Sequence, residues 1–105
     1  MIYDIATVEL VPGKREEFLE KFHELRLKVK AEPGCLQYEP TVDDPMSIKG
    51  QSGQVPERKN VVIILEKWVD AKALEEHIAS PHMRAFGQQV KDMVKGVTNQ
   101  VLRPA

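Results

Sequence analysis

The chain has 105 residues, of which 42% are hydrophobic and 30% charged, a composition that predicts one compact domain with its own core. Its net charge of -1 comes without a basic stripe, so nucleic acid is not an expected partner. No apolar run approaches the roughly 20 residues that cross a bilayer, and the first residues lack a signal-peptide pattern. Cys35 is the only cysteine, which excludes an internal disulfide. We therefore expect a cytoplasmic protein without membrane contact.

The first half of the chain predicts a strand, a helix and a second strand. Residues 2–11 alternate in the manner of a strand. Residues 14–31 carry apolar side chains at helical spacing, and these are Phe18, Phe22, Leu25 and Val29. Residues 35–42 predict the second strand, in which Pro40 lacks a backbone donor. That strand is therefore expected at an edge of the sheet or at a bulge.

The second half begins with residues 43–59, which have no period and predict a long loop or arm. Residues 60–68 are apolar at successive positions, which predicts a central strand covered on both faces. Asp70 is a helix cap, and Ser80 is another, followed by a proline at the first helical position. Two short helices are therefore expected before a last strand over residues 97–102.

The resulting order is βαββαβ, with the second helical segment divided in two. It predicts an α+β fold of the ferredoxin-like class, with a four-stranded antiparallel sheet. In this fold the helices cover one face of the sheet, yet the central strand is apolar on both faces. No element remains to cover the second face, so a homodimer with sheet-to-sheet packing is expected.

A cavity between the sheet and the helices is the expected site. Its apolar wall is predicted to include Phe22, Leu74, Ile78 and Phe86. His77, on the helix above the central strand, is the candidate catalytic base, because an imidazole titrates near neutral pH. The candidate substrate-binding residues are Tyr38, Glu66, Trp68, His82 and Phe86.

Motifs for other chemistries are missing. The chain has no G-x-G-x-x-G, no P-loop lysine, no H-E-x-x-H and no G-x-S-x-G. His77 and His82 are five residues apart across a proline break, so their spacing does not predict a shared metal site. Neither a metal nor an organic cofactor is expected.

Three segments resemble the antibiotic biosynthesis monooxygenase family, and most closely its bacterial quinol (menadiol) monooxygenase branch. They are E-P-G-C-L-Q-Y-E-P at 32–40, V-V-I-I-L-E-K-W at 61–68 and A-L-E-E-H-I-A-S-P-H-M-R-A-F at 73–86. The resemblance implies a dimeric α+β barrel with a pocket between sheet and helices. It also implies oxygenation without flavin, haem or metal.

Haem-degrading relatives use an Asn, a Trp and a His, but the matching positions here hold Thr7, His77 and Gly87, so haem degradation is not expected. The leading hypothesis is a cofactor-independent monooxygenase that oxidises a quinol or related aromatic with O2, with His77 as the base. Two alternatives remain open. One is a dimer that binds quinones or serves a stress response without turnover. The other is a cofactor-free isomerase of a phosphorylated dione, for which Lys49, Arg58, Lys59 or Arg84 would supply positive charge.

Overall fold

One antiparallel sheet and three helices make up the fold. The computed structural model describes all 105 residues. The order βαββαβ is confirmed, with the second helical segment divided in two, as in the ferredoxin-like class. The elements are β1 (Ile2–Leu10), α1 (Arg15–Lys30), β2 (Cys35–Thr41), β3 (Val61–Trp68), α2 (Ala71–Ile78), α3 (Pro81–Val90) and β4 (Val94–Leu102).

The strands lie in the order β2-β3-β1-β4, and every neighbouring pair is antiparallel. β3 is central, as its two apolar faces predicted, and β2 with Pro40 is at an edge of the sheet, where a proline is tolerated. β4 begins at Val94, three residues earlier than predicted. It starts there because the chain turns directly after Val90, and Val94 then pairs with Leu10.

Capping and turn chemistry set the ends of the helices. The Asp70 carboxylate accepts a hydrogen bond from the Ala73 N–H at 2.8 Å, which starts α2. The Ser80 hydroxyl accepts one from the Met83 N–H at 3.3 Å, which starts α3. Gly34, in the turn between α1 and β2, has φ +83°, a backbone conformation that favours glycine.

The helices pack against one face of the sheet. In β1 and β3 every second side chain is buried there, whereas neighbours such as Ile5, Ile63 and Leu65 are only half-buried on the other face. The α1 stripe predicted from the sequence is buried in the core, which also contains Tyr38 and Trp68. No helix is long and apolar enough to cross a membrane.

Candidate functional site

A cavity of about 600 Å³ lies between the sheet and helices α2 and α3. Thirteen of its 19 lining residues are hydrophobic, which is the usual character of a pocket for a small organic ligand. The sheet supplies the floor and the helices the roof. The polar and charged residues that line it are Asp4, Glu66, His77, Lys91 and Asn99, and Tyr38, counted among the thirteen, adds a phenol hydroxyl.

Strand register places three of these polar groups in one row across the floor. Glu66 on β3 is directly opposite Tyr38 on β2 and directly opposite Asp4 on β1. All three are buried. The Trp68 indole N–H donates to Glu66 Oε1 at 3.0 Å, whereas Asp4 Oδ1 is fully buried and has no hydrogen-bond partner. One end of the cavity therefore contains two carboxyl groups, Asp4 and Glu66, and the indole N–H of Trp68 is the one hydrogen bond donated to them.

His77 enters the site from the last turn of α2, and its side chain is 2% exposed. Its Nδ1 lies 2.9 Å from Glu32 Oε2. Its ring packs against Trp68 and Tyr38, with centroid distances of 4.7 and 5.1 Å. A carboxylate accepts and does not donate, so Nδ1 carries the proton and the neutral ring presents a lone pair at Nε2. His77 lines the cavity. Its Nε2 has no hydrogen-bond partner and is not fully buried, so it is accessible from the cavity.

Glu32 joins the two histidines of this region. Its Oε2 is also 2.8 Å from Nε2 of His82. The α1–β2 turn that carries Glu32 is held beside α2, because the Val69 N–H donates to the Gly34 carbonyl at 2.9 Å. The ligand atoms of Glu32, His77 and His82 lie within 4.8 Å of one another. Two imidazoles and a carboxylate are a donor set that can bind a divalent ion. The spacing of the histidines in the sequence did not predict that they meet at one carboxylate.

Burial and mutual charge shift the pKa values of the site. Desolvation raises the pKa of Glu66 to about 7; the Trp68 hydrogen bond opposes the shift, and the charges of Asp4 and Glu32 add to it. Burial also raises the pKa of Asp4, against the effect of His77. Burial lowers the pKa of His77, although the hydrogen bond and the charge of Glu32 raise it. His77 is therefore held in its neutral, proton-accepting form at neutral pH.

Four of the predicted site residues line the cavity, namely Tyr38, Glu66, His77 and Phe86. Trp68 and His82 do not, which corrects their predicted placement. Trp68 is fully buried beneath His77, and His82 is held outside the cavity by Glu32.

The structure also tests the predicted apolar wall of the cavity and the positive charges of the isomerase hypothesis. Phe22 does not line the cavity because it stacks in the core on Tyr38 at 5.1 Å. Ile78 lines the cavity as predicted, although it is 64% exposed. None of the cationic residues named for the isomerase hypothesis lines the cavity, namely Lys49, Arg58, Lys59 and Arg84; the cationic residue found there is Lys91.

Two acidic groups, the buried Asp4 and the half-buried Glu32, were missed as site residues. Asp4 had a visible signal, because it is in phase with the apolar positions of β1. Glu32 had none, because its partners are 45 and 50 residues away in the sequence.

Comparisons with known proteins agree with this architecture. Residues 1–89 match the family model described as "Antibiotic biosynthesis monooxygenase". The chain is 31% identical to the Escherichia coli K12 protein named "Probable quinol monooxygenase YgiN", over 99% of this chain and 98% of that protein.

Solved structures show the same fold. PA3566 from Pseudomonas aeruginosa has a TM-score of 0.77 at 27% identity, with 99% of this chain and 94% of that chain covered. A conserved protein from Methanosarcina mazei has a TM-score of 0.82 at 21% identity, with 99% and 92% covered. The match of the family model and the full-length similarity to a named relative support a monooxygenase activity, and the chain belongs to the antibiotic biosynthesis monooxygenase family.

Proposed function

We propose that this protein is a cofactor-independent monooxygenase that oxidises a quinol or a related aromatic with O2, with His77 as the base. The observation that carries the proposal is the hydrogen bonding of the two ring nitrogens of His77. Glu32 fixes its Nδ1–H, while Nε2 is left without a partner at a mostly apolar cavity. The family match and the name of the E. coli relative support the substrate class.

The reaction needs little more than a base and a dry cavity. Nε2 of His77 accepts a proton from a ring hydroxyl, and the resulting anion is electron-rich enough to react with O2. Overall, quinol and O2 give hydroxyquinone and water. One oxygen atom enters the ring, the other becomes water, and the quinol supplies all four electrons. Glu32 stabilises the transient imidazolium, because its carboxylate already accepts the Nδ1–H.

The test is oxygen uptake with reduced menadione by protein freed of metal and flavin. His77→Ala is expected to lower the rate about 100-fold, the low end of what a general base contributes. His23→Ala is the matched control, because His23 is exposed on α1, and its rate should equal that of the wild type. Saturable quinone binding without any uptake above the uncatalysed rate would instead establish a non-catalytic binding protein and refute the proposal.

We also propose that a second copy of the chain covers the open face of the sheet. Ile5, Ile63 and Leu65 lie on that face and are half-buried, with no helix above them. Pairing two such faces removes apolar area from water. Light scattering at micromolar concentration should give twice the mass of the chain, and Leu65→Lys should give the mass of one chain. A wild-type mass of one chain would contradict this packing.

A further inference from the structure

Asp4 is a buried carboxylate that the chain itself does not satisfy. It is 5% exposed, and its Oδ1 is the one fully buried side-chain polar atom in the protein without a hydrogen-bond partner. Burial of an unpaired acceptor opposes folding, and native structures rarely retain such a group without a role. The proposed proton transfer uses His77 and Glu32 and gives Asp4 no task.

The surroundings of Asp4 define what it can bind. It lines the cavity floor, directly opposite Glu66. Oδ1 of Asp4 is closed off from the cavity, whereas Oδ2 accepts no hydrogen bond and is not fully buried, so Oδ2 is the acceptor atom that a ligand can reach. Glu66 beside it uses Oε1 to accept the Trp68 indole N–H. The cavity wall beyond this row is largely apolar, with Val8, Phe18 and Val90 among its residues. A matching ligand has an apolar ring body and a hydrogen-bond donor at one end.

We propose that Asp4 is a substrate-binding residue that accepts a hydrogen bond from a ring hydroxyl, and so selects hydroxylated rings over rings that present only carbonyl or ether oxygens. The inference rests on the proposed function, since it assigns the cavity to an aromatic ring. A carboxylate and a carbonyl oxygen both accept hydrogen bonds, so a quinone oxygen placed at Asp4 leaves both groups unpaired. Asp4 thereby favours binding of the quinol over binding of the corresponding quinone, which has no hydroxyl donor.

The test compares two stable probes with the same ring. 1-Naphthol has a hydroxyl donor, and 1-methoxynaphthalene has an ether oxygen in its place. Calorimetric titration of the wild type should give a Kd about tenfold lower for 1-naphthol, as expected when one charge-assisted hydrogen bond is gained in a buried site. Asp4→Val should bind both probes equally and should retain the wild-type Kd for 1-methoxynaphthalene.

Two further variants make the experiment specific. Asp4→Asn keeps the shape of the side chain but adds amide donors that can pair with an ether oxygen, so the preference for 1-naphthol should shrink. Asp92→Val is the matched control, because Asp92 is an exposed aspartate in the turn before β4 and does not line the cavity. It should keep the full preference.

The outcomes separate this inference from the function on which it rests. Equal wild-type affinity for both probes, or an unchanged preference in Asp4→Val, overturns the role of Asp4 while leaving the aromatic site intact. Failure of both probes to bind the wild type overturns the assignment of the cavity to an aromatic ring, and the role of Asp4 with it.

Discussion

Replacement of Glu66 by glutamine should remove a loss of stability that the wild type suffers as the pH rises through neutrality. The carboxyl is buried, and desolvation raises its pKa from 4.5 to about 7. Below pH 4.5 the folded and unfolded chains both hold the proton. Between the two values only the folded chain holds it, so the free energy of unfolding falls with increasing pH. Above pH 7 the folded chain also releases the proton, and the loss is complete.

The size of the effect follows from the two pKa values. Each pKa unit corresponds to about 1.4 kcal/mol, so the wild type should lose about 3 kcal/mol through Glu66 between pH 4.5 and 8. The glutamine side chain of Glu66→Gln has no proton to release, and its amide oxygen can still accept the Trp68 indole N–H. The variant should therefore be more stable than the wild type at pH 8, by an amount that disappears towards pH 4.5.

Urea unfolding at pH 5, 6, 7 and 8, followed by circular dichroism, measures this difference. Glu9→Gln is the matched control, because Glu9 is an exposed strand glutamate on β1, and its profile should run parallel to that of the wild type. Parallel profiles of Glu66→Gln and the wild type from pH 5 to 8 would refute the reasoning.

Three further predictions concern the groups around the site. Glu32→Gln should lower the pKa of His77 further, because the Glu32 hydrogen bond and charge now raise it; an unchanged NMR titration of the His77 ring would contradict this. Asp70→Ala should cost about 1 kcal/mol by loss of the N-cap, and an unchanged urea midpoint would contradict it. Gly34→Ala should cost more than about 1 kcal/mol, because φ is +83° and the new Cβ would lie 2.7 Å from Cγ2 of Val69. Urea unfolding measures this cost, and wild-type stability would contradict the prediction.

Much of the fold was predictable because its signals are local. Alternation in residues 2–11 and the uninterrupted apolar run at residues 60–68 are properties of neighbouring residues, as are the caps at Asp70 and Ser80. The start of β4 at Val94, rather than at the predicted residue 97, has no such local signal. Val94 pairs with Leu10, and that pairing depends on a strand far away in the sequence.

The alternation of side chains along β3 explains why one predicted site residue on this strand lines the cavity and another does not. Glu66 and Trp68 point to the same face of β3, as alternation requires. Only α2 packing above that face decides that the indole is sealed beneath His77 while the carboxyl remains at the cavity. The sequence of β3 could not show which of the two side chains reaches the cavity, because α2 is the element that covers one of them.

The order of the elements, the family resemblance and the choice of His77 as the candidate base could be read from local patterns, since each rests on residues close together in the chain. Only the tertiary structure brought Glu32 to His77 and His82, because the turn after α1 is held against the end of β3. It also showed that Asp4, recognisable as a charge in an apolar strand face, is left unpaired at the cavity. Pairing is a property of three-dimensional neighbours, and alternation along a strand indicates only which face a side chain occupies.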